Sequence, residues 1–369
     1  MILSDGSARL VEVVEPTLSS EAGHCFALFR SLHSASGELS FRLWVDRGAR
    51  VPAMPRERVS LERHFDRLWR KPQAWWLYRR LLRAGRPILV PTAGWFDLRA
   101  LDLAAGGPIP PGRAFLYFHK WRAGAERALA LAGLARRQPH LELFGTSPEI
   151  VGRLREAGFA HVDLVTPVLA AGSPGGAAAG RVPFRHLLSA GAARADKGFG
   201  RIVDLVARLA EQGADLPILV QASGDHYGRF DERTAADLAR LRNFSYAPLV
   251  LREDTIDAAG YAALFPGAVC LQPYEAAEYA DKMSSITFDA LRAGAPVITV
   301  EGTSMARIVH ETGAGMVLER ADAAELERAA RAAIRYYDRL QEKALAAAER
   351  YRPQSSWAPL VARLLAGGT

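Results

Sequence analysis

Short apolar runs alternate with amphipathic segments through the first half of the chain. Helices are predicted over Cys25–Leu32 and Pro148–Ala157, where apolar residues recur at helical spacing. The apolar runs have the length and character of buried strands, and they lie at residues 10–14, 39–45, 87–90, 114–118, 141–144 and 162–165. Strands that alternate with helices indicate a parallel sheet covered on both faces, whose ligands gather beyond the carboxyl ends of the strands.

The pattern breaks at residues 171–183, where Gly, Ala, Ser and Pro follow one another without periodicity. This composition is typical of a flexible domain linker. A second alternating series follows, with helices at 199–211 and 231–241 and strands at 184–190, 217–221, 249–251, 269–272 and 297–300. We therefore predict an α/β protein of two Rossmann-like, doubly wound parallel-sheet domains, residues 1–170 and 184–354, that face each other across a cleft.

Composition and charge agree with a two-domain globular protein. The 369 residues exceed one ordinary domain, and 49% hydrophobic against 24% charged residues is typical of a chain with a sizeable core. The net charge of +7 favours anionic ligands without specifying which. Two cysteines, Cys25 and Cys270, have no metal-ligand spacing and fit a reducing compartment. The N-terminal residues lack a signal-peptide pattern and no apolar run is long enough to cross a bilayer, so we expect a cytoplasmic protein.

A helix is predicted ahead of Gly294, and its start carries Lys282, Ser284 and Ser285. Such a start presents free backbone N–H groups and the positive end of the helix dipole, which suit an anion such as a diphosphate. Asp289 lies further along the helix, where its carboxylate could accept hydrogen bonds from sugar hydroxyls. The alternative interpretation is an ordinary capped helix between two strands.

A second basic segment, residues 189–199, lies after a predicted strand and before a predicted helix, where a parallel sheet places its ligands. Arg194 and Lys197 could converge there on a phosphate group, Arg as a fork and Lys as a point charge. Shielded from water, such cations stabilise negative charge that builds on a leaving group. The alternative is a solvated turn in which Asp196 caps the next helix.

Several familiar chemistries lack their sequence motifs. The chain has no G-x-x-x-x-G-K-[ST] phosphate loop, no G-x-G-x-x-G fingerprint in a strand-to-helix context and no G-x-S-x-G nucleophile elbow. It also has no D-x-D, the carboxylate pair with which a metal could be held against a diphosphate. A diphosphate would therefore be bound by Arg, Lys and helix ends, and we expect no metal.

The two segments together carry a family resemblance over roughly residues 188–350. Arg194 and Lys197-Gly198 follow a strand, and far downstream stands Asp289-Ala290-Leu291-Arg292-Ala293-Gly294-Ala295-Pro296-Val297-Ile298, with Asp281 eight positions before Asp289. This pattern resembles the nucleotide-sugar domain of GT-B glycosyltransferases, especially the retaining family 4, which has Glu-x7-Glu before Ala-x-x-x-Gly-x-Pro-Val-Ile. Here both glutamates are aspartates, and the usual Gly-Phe-Gly is replaced by Lys282-Met283-Ser284-Ser285.

The resemblance implies roles for the residues of the second half. Arg194 and Lys197 would neutralise the diphosphate as the sugar leaves, and the segment Lys282, Met283, Ser284 and Ser285 would bind the donor as well. Asp289 would take the ribose hydroxyls and Asp281, as a catalytic-site residue, the hydroxyls of the donor sugar.

In the first half the resemblance assigns fewer residues. Gly23 would let the first loop approach the donor, because a side chain there would intrude. His119, at the end of a predicted strand, would touch the donor sugar or steer the acceptor in the catalytic site, although a lone histidine can equally be a structural hydrogen-bond partner at a sheet edge. The final helix, within residues 355–369, would pack back onto the N-terminal domain.

The function implied is transfer of a sugar from a nucleotide-diphospho-sugar to a hydroxyl of a glycan or lipid-linked acceptor, as in bacterial lipopolysaccharide, capsule or glycolipid synthesis. The reaction would retain the anomeric configuration and need neither cofactor nor metal. An epimerase of the same architecture is one alternative. A non-catalytic protein that binds anions or nucleic acid is the other, although we expect no nucleic-acid partner.

Residues 56–86 are predicted to fall outside the sheet pattern, since arginines there are interleaved with Trp and Tyr. This composition suits the headgroup layer of an anionic membrane or an anionic acceptor, on the cytoplasmic face of the membrane. Stacking on a nucleic acid strand and simple packing as a helical hairpin are the alternatives. The residues predicted to make membrane or acceptor contact are Trp69, Arg70, Lys71, Trp75, Trp76, Arg79 and Arg80.

Overall fold

A computed structural model describes residues 9–21, 24–121, 127–167, 181–224, 229–254 and 256–367 of the chain. Contacts divide the chain into two units, Met1–Ala171 with Gln354–Thr369, and Gly172–Pro353. Most of the predicted linker, residues 171–180, lies outside the described residues.

The first unit is built on a parallel sheet with strand order β3-β2-β1-β4-β5-β6-β7, seven strands within the described residues. Its strands are β1 Arg9–Val14, β2 Leu39–Asp46, β3 Val59–Phe65, β4 Ile88–Val90, β5 Ala114–Phe118, β6 Glu142–Gly145 and β7 His161–Leu164. Its helices are α1 His24–Ala35, α2 Arg70–Arg83, α3 Trp95–Ala105, α4 Ala128–Arg137, α5 Pro148–Glu156 and, from the end of the chain, α14 Ala358–Ala366.

Both faces of this sheet are buried, because successive side chains of a strand point to opposite sides. Val14 and Phe118 belong to one hydrophobic cluster, whereas their neighbours Val13 and Tyr117 belong to the other. The first cluster is covered by α2 to α5 and the second by α1 and α14. This two-sided burial confirms the doubly wound arrangement expected from the near-continuous apolar runs.

The second unit contains a parallel sheet of order β10-β9-β8-β11-β12-β13, six strands within the described residues. Its strands are β8 His186–Ser189, β9 Ile218–Gln221, β10 Leu249–Arg252, β11 Ala268–Gln272, β12 Val297–Val300 and β13 Gly315–Leu318. Its helices are α6 Phe199–Glu211, α7 Glu232–Arg242, α8 Ala258–Ala262, α9 Ala276–Tyr279, α10 Ser285–Arg292, α11 Ser304–Thr312, α12 Ala323–Arg335 and α13 Tyr337–Tyr351.

Each sheet reverses its strand order once, between β1 and β4 in the first unit and between β8 and β11 in the second. At such a switch point the two following loops run in opposite directions and leave a crevice at the carboxyl ends of the strands. In the second unit the loops that follow β8 and β11 are residues 190–198 and 273–284, which contain most of the predicted donor-binding residues.

The chain's last helix completes the core of the first unit. Trp357, just before α14, is 2% exposed, and its indole N–H donates a hydrogen bond to Ser31 Oγ at 3.0 Å. Leu360 and Leu364 lie in the same buried cluster. The connection into this helix is fixed by a hydrogen bond of 2.7 Å between the hydroxyls of Thr166 and Ser355.

One expectation about the first unit is wrong. Residues 59–65 form β3, which pairs with β2 at the edge of the sheet, so the segment 56–86 does not lie outside the sheet pattern. Its sequence, VSLERHF, is mostly polar because an edge strand has one neighbour only and part of its surface faces solvent. Within the part of the chain that the structure describes, no helix is long and apolar enough to span a membrane.

Candidate functional site

The loop after β8 is a compact turn that carries the predicted phosphate-binding cations. Gly191 has φ +94°, and Gly198, at the start of α6, has φ +69°, both in the region that favours glycine. Between them Ala195–Lys197 form one 3-10 turn. The exposed Arg194 forms an ion pair with Asp196 across this turn, with Arg194 Nε donating to Asp196 Oδ1 at 2.8 Å.

This loop is locked to the loop that follows β11. A Cβ on Gly198 would stand 2.0 Å from the carbonyl oxygen of Pro273, so only glycine allows this approach. The backbone N–H of Glu275 donates to the carbonyl of Asp196 at 3.0 Å, and Arg201 Nη1 donates to the carbonyl of Pro273 at 2.7 Å. The two loops therefore form one structural unit at the switch point.

Lys197 extends from this turn toward the start of α10. Its Nζ lies close to Gly191, as does Ile286, the second residue of α10. A Cβ built on Gly191 would be 3.1 Å from Lys197 Nζ and 2.9 Å from Ile286 Cδ1. Burial lowers the pKa of Lys197 to about 8, and the positive charges of Arg194 and Lys282 act in the same direction while Asp196 opposes them. No carboxylate of the described residues lies within 4 Å of this ammonium group, so it is able to bind an anion.

The start of α10 has no side-chain cap. Ser284 is the N-cap residue, but its side chain is buried and accepts no hydrogen bond from the helix amides. Ser285 is exposed, whereas Met283 is buried. The positive end of the α10 dipole therefore lies next to Lys197, and no capping side chain accepts a hydrogen bond from its free backbone N–H groups.

Lys282 closes the same cluster of charges. Its Nζ lies 3.7 Å from Asp196 Oδ2 and 4.3 Å from the centre of the Tyr279 ring. Its carbonyl accepts a hydrogen bond from Ser304 Oγ at 2.8 Å, which fixes the backbone ahead of α10. Asp196 is therefore the shared partner of Arg194 and Lys282, a pairing that sequence reasoning missed in treating it only as a helix cap.

Asp289 lies one turn further along α10. Burial raises its pKa to about 7, against the opposing effects of Arg292 and of the Tyr261 hydroxyl, which donates to its Oδ2 at 3.4 Å. The buried thiol of Cys270 on β11 lies within electrostatic range of both Asp289 and Lys197. The two predicted donor-binding residues therefore share one neighbourhood, and near neutral pH the Asp289 carboxyl group can both donate and accept hydrogen bonds.

The remaining predicted residues of the site fall in three places. Asp281 is half-buried in the bend between α9 and α10, next in sequence to Lys282. Gly23 lies outside the described residues. His119 belongs to the first unit, where it follows β5, with its Nε2 at 3.0 Å from the carbonyl of Pro91 and its ring packed edge-on at 4.6 Å against Tyr117.

Sequence reasoning missed a polar cluster at the switch point of the first unit. Glu15, directly after β1, is buried and accepts hydrogen bonds from the hydroxyls of Thr17 and Thr92, both at 2.5 Å. Burial raises the pKa of Glu15, which favours its protonated form. The signal was a carboxylate at the carboxyl end of a buried strand, ahead of Pro16. The cluster ties the loops after β1 and β4 together.

The residues predicted to contact a membrane or acceptor divide into two groups. Trp69, Arg70 and Lys71 are exposed at the start of α2, while Trp76, Arg79 and Arg80 lie along its second half. Trp75 differs from these residues, because it packs half-buried against the hydrophobic core with the Arg79 guanidinium 5.8 Å from the centre of its ring.

No group of three or more His, Cys, Asp or Glu side chains with the arrangement of a metal site occurs among the described residues.

Solved structures of other proteins match nearly the whole chain. A sucrose-phosphate synthase from Thermosynechococcus elongatus matches with TM-score 0.67 and 13% identity, over 96% of this chain and 97% of that one. WaaG, a glycosyltransferase involved in lipopolysaccharide biosynthesis, matches with TM-score 0.62 and 13% identity, over 97% and 100%. The chain has the GT-B fold. HepE of Anabaena, in complex with UDP and glucose, matches with TM-score 0.62 and 12% identity, over 96% and 98%.

No protein-family model matches the sequence, and no curated protein matches it. The GT-B assignment therefore depends on the order and packing of the elements, which confirms the fold expected from the sequence.

The contact between Gly198 and Pro273 generates a prediction about stability. Gly198→Ala should lower the free energy of unfolding by more than about 2 kcal/mol, because a side chain meets both a left-handed backbone and the Pro273 carbonyl. Gly213→Ala is the matched control: its φ is +60°, but nothing lies within 4 Å of the added Cβ, so about 1 kcal/mol is expected. Urea unfolding of both variants measures the difference, and equal losses would show that the two loops are not locked.

Proposed function

We propose that this chain is a glycosyltransferase that takes a sugar from a nucleotide-diphospho-sugar. The observation that carries the proposal is the desolvated ammonium of Lys197 beside the uncapped start of α10. Both features attract negative charge, and together they fit a diphosphate at the switch point of a parallel sheet. The GT-B fold of the whole chain supports the same ligand class.

The diphosphate is proposed to take the place of the carboxylate that Lys197 lacks. Arg194 and Lys282, which share Asp196, stand beside this position and add positive charge to it. When the bond between sugar and diphosphate breaks, these cations stabilise the charge that develops on the leaving group. We propose that they do so without a metal, in keeping with the absence of a D-x-D sequence.

The nucleoside and the sugar are proposed to lie on either side of the diphosphate. Asp289, one turn along α10, would bind the ribose hydroxyls, for which a carboxyl group of pKa about 7 offers both donor and acceptor. Asp281 would bind the hydroxyls of the donor sugar. Transfer with retention of configuration follows from the resemblance of Asp281 and Asp289 to the paired acids of retaining family 4.

The acceptor is proposed to be a hydroxyl of a glycan or lipid-linked saccharide. The description of WaaG as a lipopolysaccharide glycosyltransferase and the UDP and glucose bound to HepE support a sugar donor of this type and a role in bacterial surface glycans. His119, at the carboxyl end of β5, would steer the acceptor or contact the donor sugar.

Contact with an anionic membrane on the cytoplasmic face is proposed for the start of α2. Leu68 is 87% and Trp69 64% exposed, and Arg70 and Lys71 are exposed next to them. Large apolar side chains that remain in water beside cations suit the headgroup layer, where each cation contributes about 1 kcal/mol. Such a contact would bring a lipid-linked acceptor to the enzyme.

The donor site is tested by calorimetry against UDP, GDP, ADP and CMP. The wild type should bind one of the nucleoside diphosphates, and Lys197→Met should weaken that binding at least about tenfold, because a charge-assisted contact of about 1.5–3 kcal/mol is lost. Lys343→Met, which removes a lysine from α13, should bind like the wild type. If no nucleotide binds, or single-stranded nucleic acid binds more tightly than all of them, the transferase proposal is wrong.

The membrane contact is tested by flotation with vesicles of phosphatidylglycerol and phosphatidylcholine. The wild type should float with anionic vesicles and be released by salt, whereas Leu68→Ser with Trp69→Ser should stay at the bottom, since the exposed apolar anchor is gone. Leu103→Ser with Leu129→Ser removes two equally exposed apolar side chains, 61% and 88%, from α3 and α4 and should float like the wild type. A wild type that never floats contradicts the proposal.

A further inference from the structure

A basic groove runs beside α2 in the first unit, apart from the residues assigned to the donor. It consists of two adjoining cavities of about 420 and 330 Å³ that share Arg80. The larger is lined by His64, Trp76, Leu77, Arg79, Arg80 and Arg83. The smaller is lined by Glu12, Arg42, Trp44, Arg80, Leu81, Ala84 and Arg86.

The floor of the groove is polar and fixed. Glu12 on β1 is fully buried, and its carboxylate accepts hydrogen bonds from Arg42 Nη1 at 3.3 Å and from the Trp44 indole N–H at 2.7 Å. These residues lie on the same face of β1 and β2, where Glu12 pairs in register with Arg42. The buried Glu12 carboxylate holds Arg42 in place, and the exposed part of the Arg42 side chain can donate hydrogen bonds to the hydroxyl groups of a ligand.

The walls carry positive charge that the described part of the chain does not neutralise. Arg79, Arg80, Arg83 and Arg86 line the groove, and no carboxylate of the described residues lies within 4 Å of any of the four. Elsewhere in this chain arginines on helix surfaces do pair with carboxylates, as Arg137 does with Asp102 at 2.7 Å. A concentration of unpaired guanidinium groups in a concave surface attracts an anionic partner.

Aromatic rings stand between these charges. Trp76 contacts the ring of Trp75 at 4.9 Å but is still 62% exposed where it lines the larger cavity, so the open part of its indole can contact a sugar ring. Trp44 lies deeper, under the guanidinium of Arg80 at 4.7 Å from its ring centre, and His64 packs edge-on against it at 5.5 Å. Arg80 is therefore held over the boundary between the two cavities.

The direction of the groove follows from its lining. His64 stands near the carboxyl end of β3, whereas Arg86 follows α2 and precedes β4, at the amino ends of the strands. The groove thus starts near the carboxyl ends of the strands, where the ligand loops of this sheet gather, and leads toward their amino ends. It is suited to an extended ligand, one end of which points to the carboxyl ends of the strands.

We propose that this groove binds an acidic saccharide chain. Arg42, whose side chain is 34% exposed while Glu12 is buried, takes sugar hydroxyls, the four wall arginines take the acidic groups, and Trp76 packs against a ring. Nucleic acid fits less well, because successive bases stack on several aromatic rings and Trp76 is the one indole that the groove leaves exposed among the described residues. A bilayer is flat and does not enter a concave groove.

The occupant's role as the growing acceptor glycan rests on the proposed function, whereas the binding itself does not. The groove would hold the part of the glycan remote from the hydroxyl that reacts. A glycosyltransferase with such a groove prefers acceptors that already carry acidic residues.

The test is calorimetry of the full chain with trigalacturonate, maltotriose and a ten-residue oligothymidylate. Trigalacturonate should bind and neutral maltotriose should bind at least about tenfold more weakly, because the arginines contribute only to the acidic chain. Arg80→Gln with Arg83→Gln should weaken trigalacturonate binding at least about tenfold. Arg99→Gln with Arg136→Gln, which removes two exposed arginines from α3 and α4, should leave it unchanged.

Further measurements distinguish an acidic saccharide from nucleic acid and from lipid as the occupant of the groove. Trp76→Ala, at an exposed position, should also weaken trigalacturonate binding while the thermal unfolding midpoint stays that of the wild type. The proposal is overturned if trigalacturonate does not bind, if both arginine pairs have the same effect, or if oligothymidylate or phosphatidylglycerol vesicles bind more tightly than trigalacturonate through Arg80 and Arg83. Nucleoside diphosphate titrated into the same protein separates the two proposals, since its binding depends on Lys197 and not on the groove.

Discussion

The desolvated ammonium group of Lys197 is the constraint on which the candidate site depends. A cation that is partly removed from water without a carboxylate beside it costs free energy, and its pKa falls to about 8 as a result. The structure nevertheless holds it there, between Gly191 and the uncapped start of α10. An anion bound at this position would offset the free energy that the desolvated Lys197 costs the folded protein. Binding of the anion would therefore also stabilise the fold.

Two chain segments about 80 residues apart create this position. The loops after β8 and β11 meet because those strands are neighbours at the point where the sheet reverses its order. Gly198 permits the contact with Pro273, and Asp196 holds Arg194 and Lys282 together. The charges are thus preorganised before any ligand arrives, which is the condition under which electrostatic stabilisation of a leaving group is effective.

The sequence was most informative where local pattern and tertiary structure agree. The strand 114–118 and the helix 199–211 have the predicted bounds, since a continuous apolar run and a helical periodicity survive in any packing. Strand β3 was not predicted, because half of its side chains are polar at the sheet edge. Trp75 and Trp76 look alike in sequence, and only the packing of α2 shows that one is half-buried. The raised pKa of Asp289 and the lowered pKa of Lys197 likewise depend on neighbours that are distant in sequence.

The most direct measurement is the titration of Lys197 itself, by direct-detected NMR of lysine side chains labelled with carbon-13 and nitrogen-15. The chain has few lysines, so Lys197→Arg identifies the signal. We expect a pKa of about 8 for Lys197 in the free protein and an increase in this pKa when the nucleoside diphosphate binds. An ordinary lysine pKa of about 10.4 that does not respond to the nucleotide would contradict it.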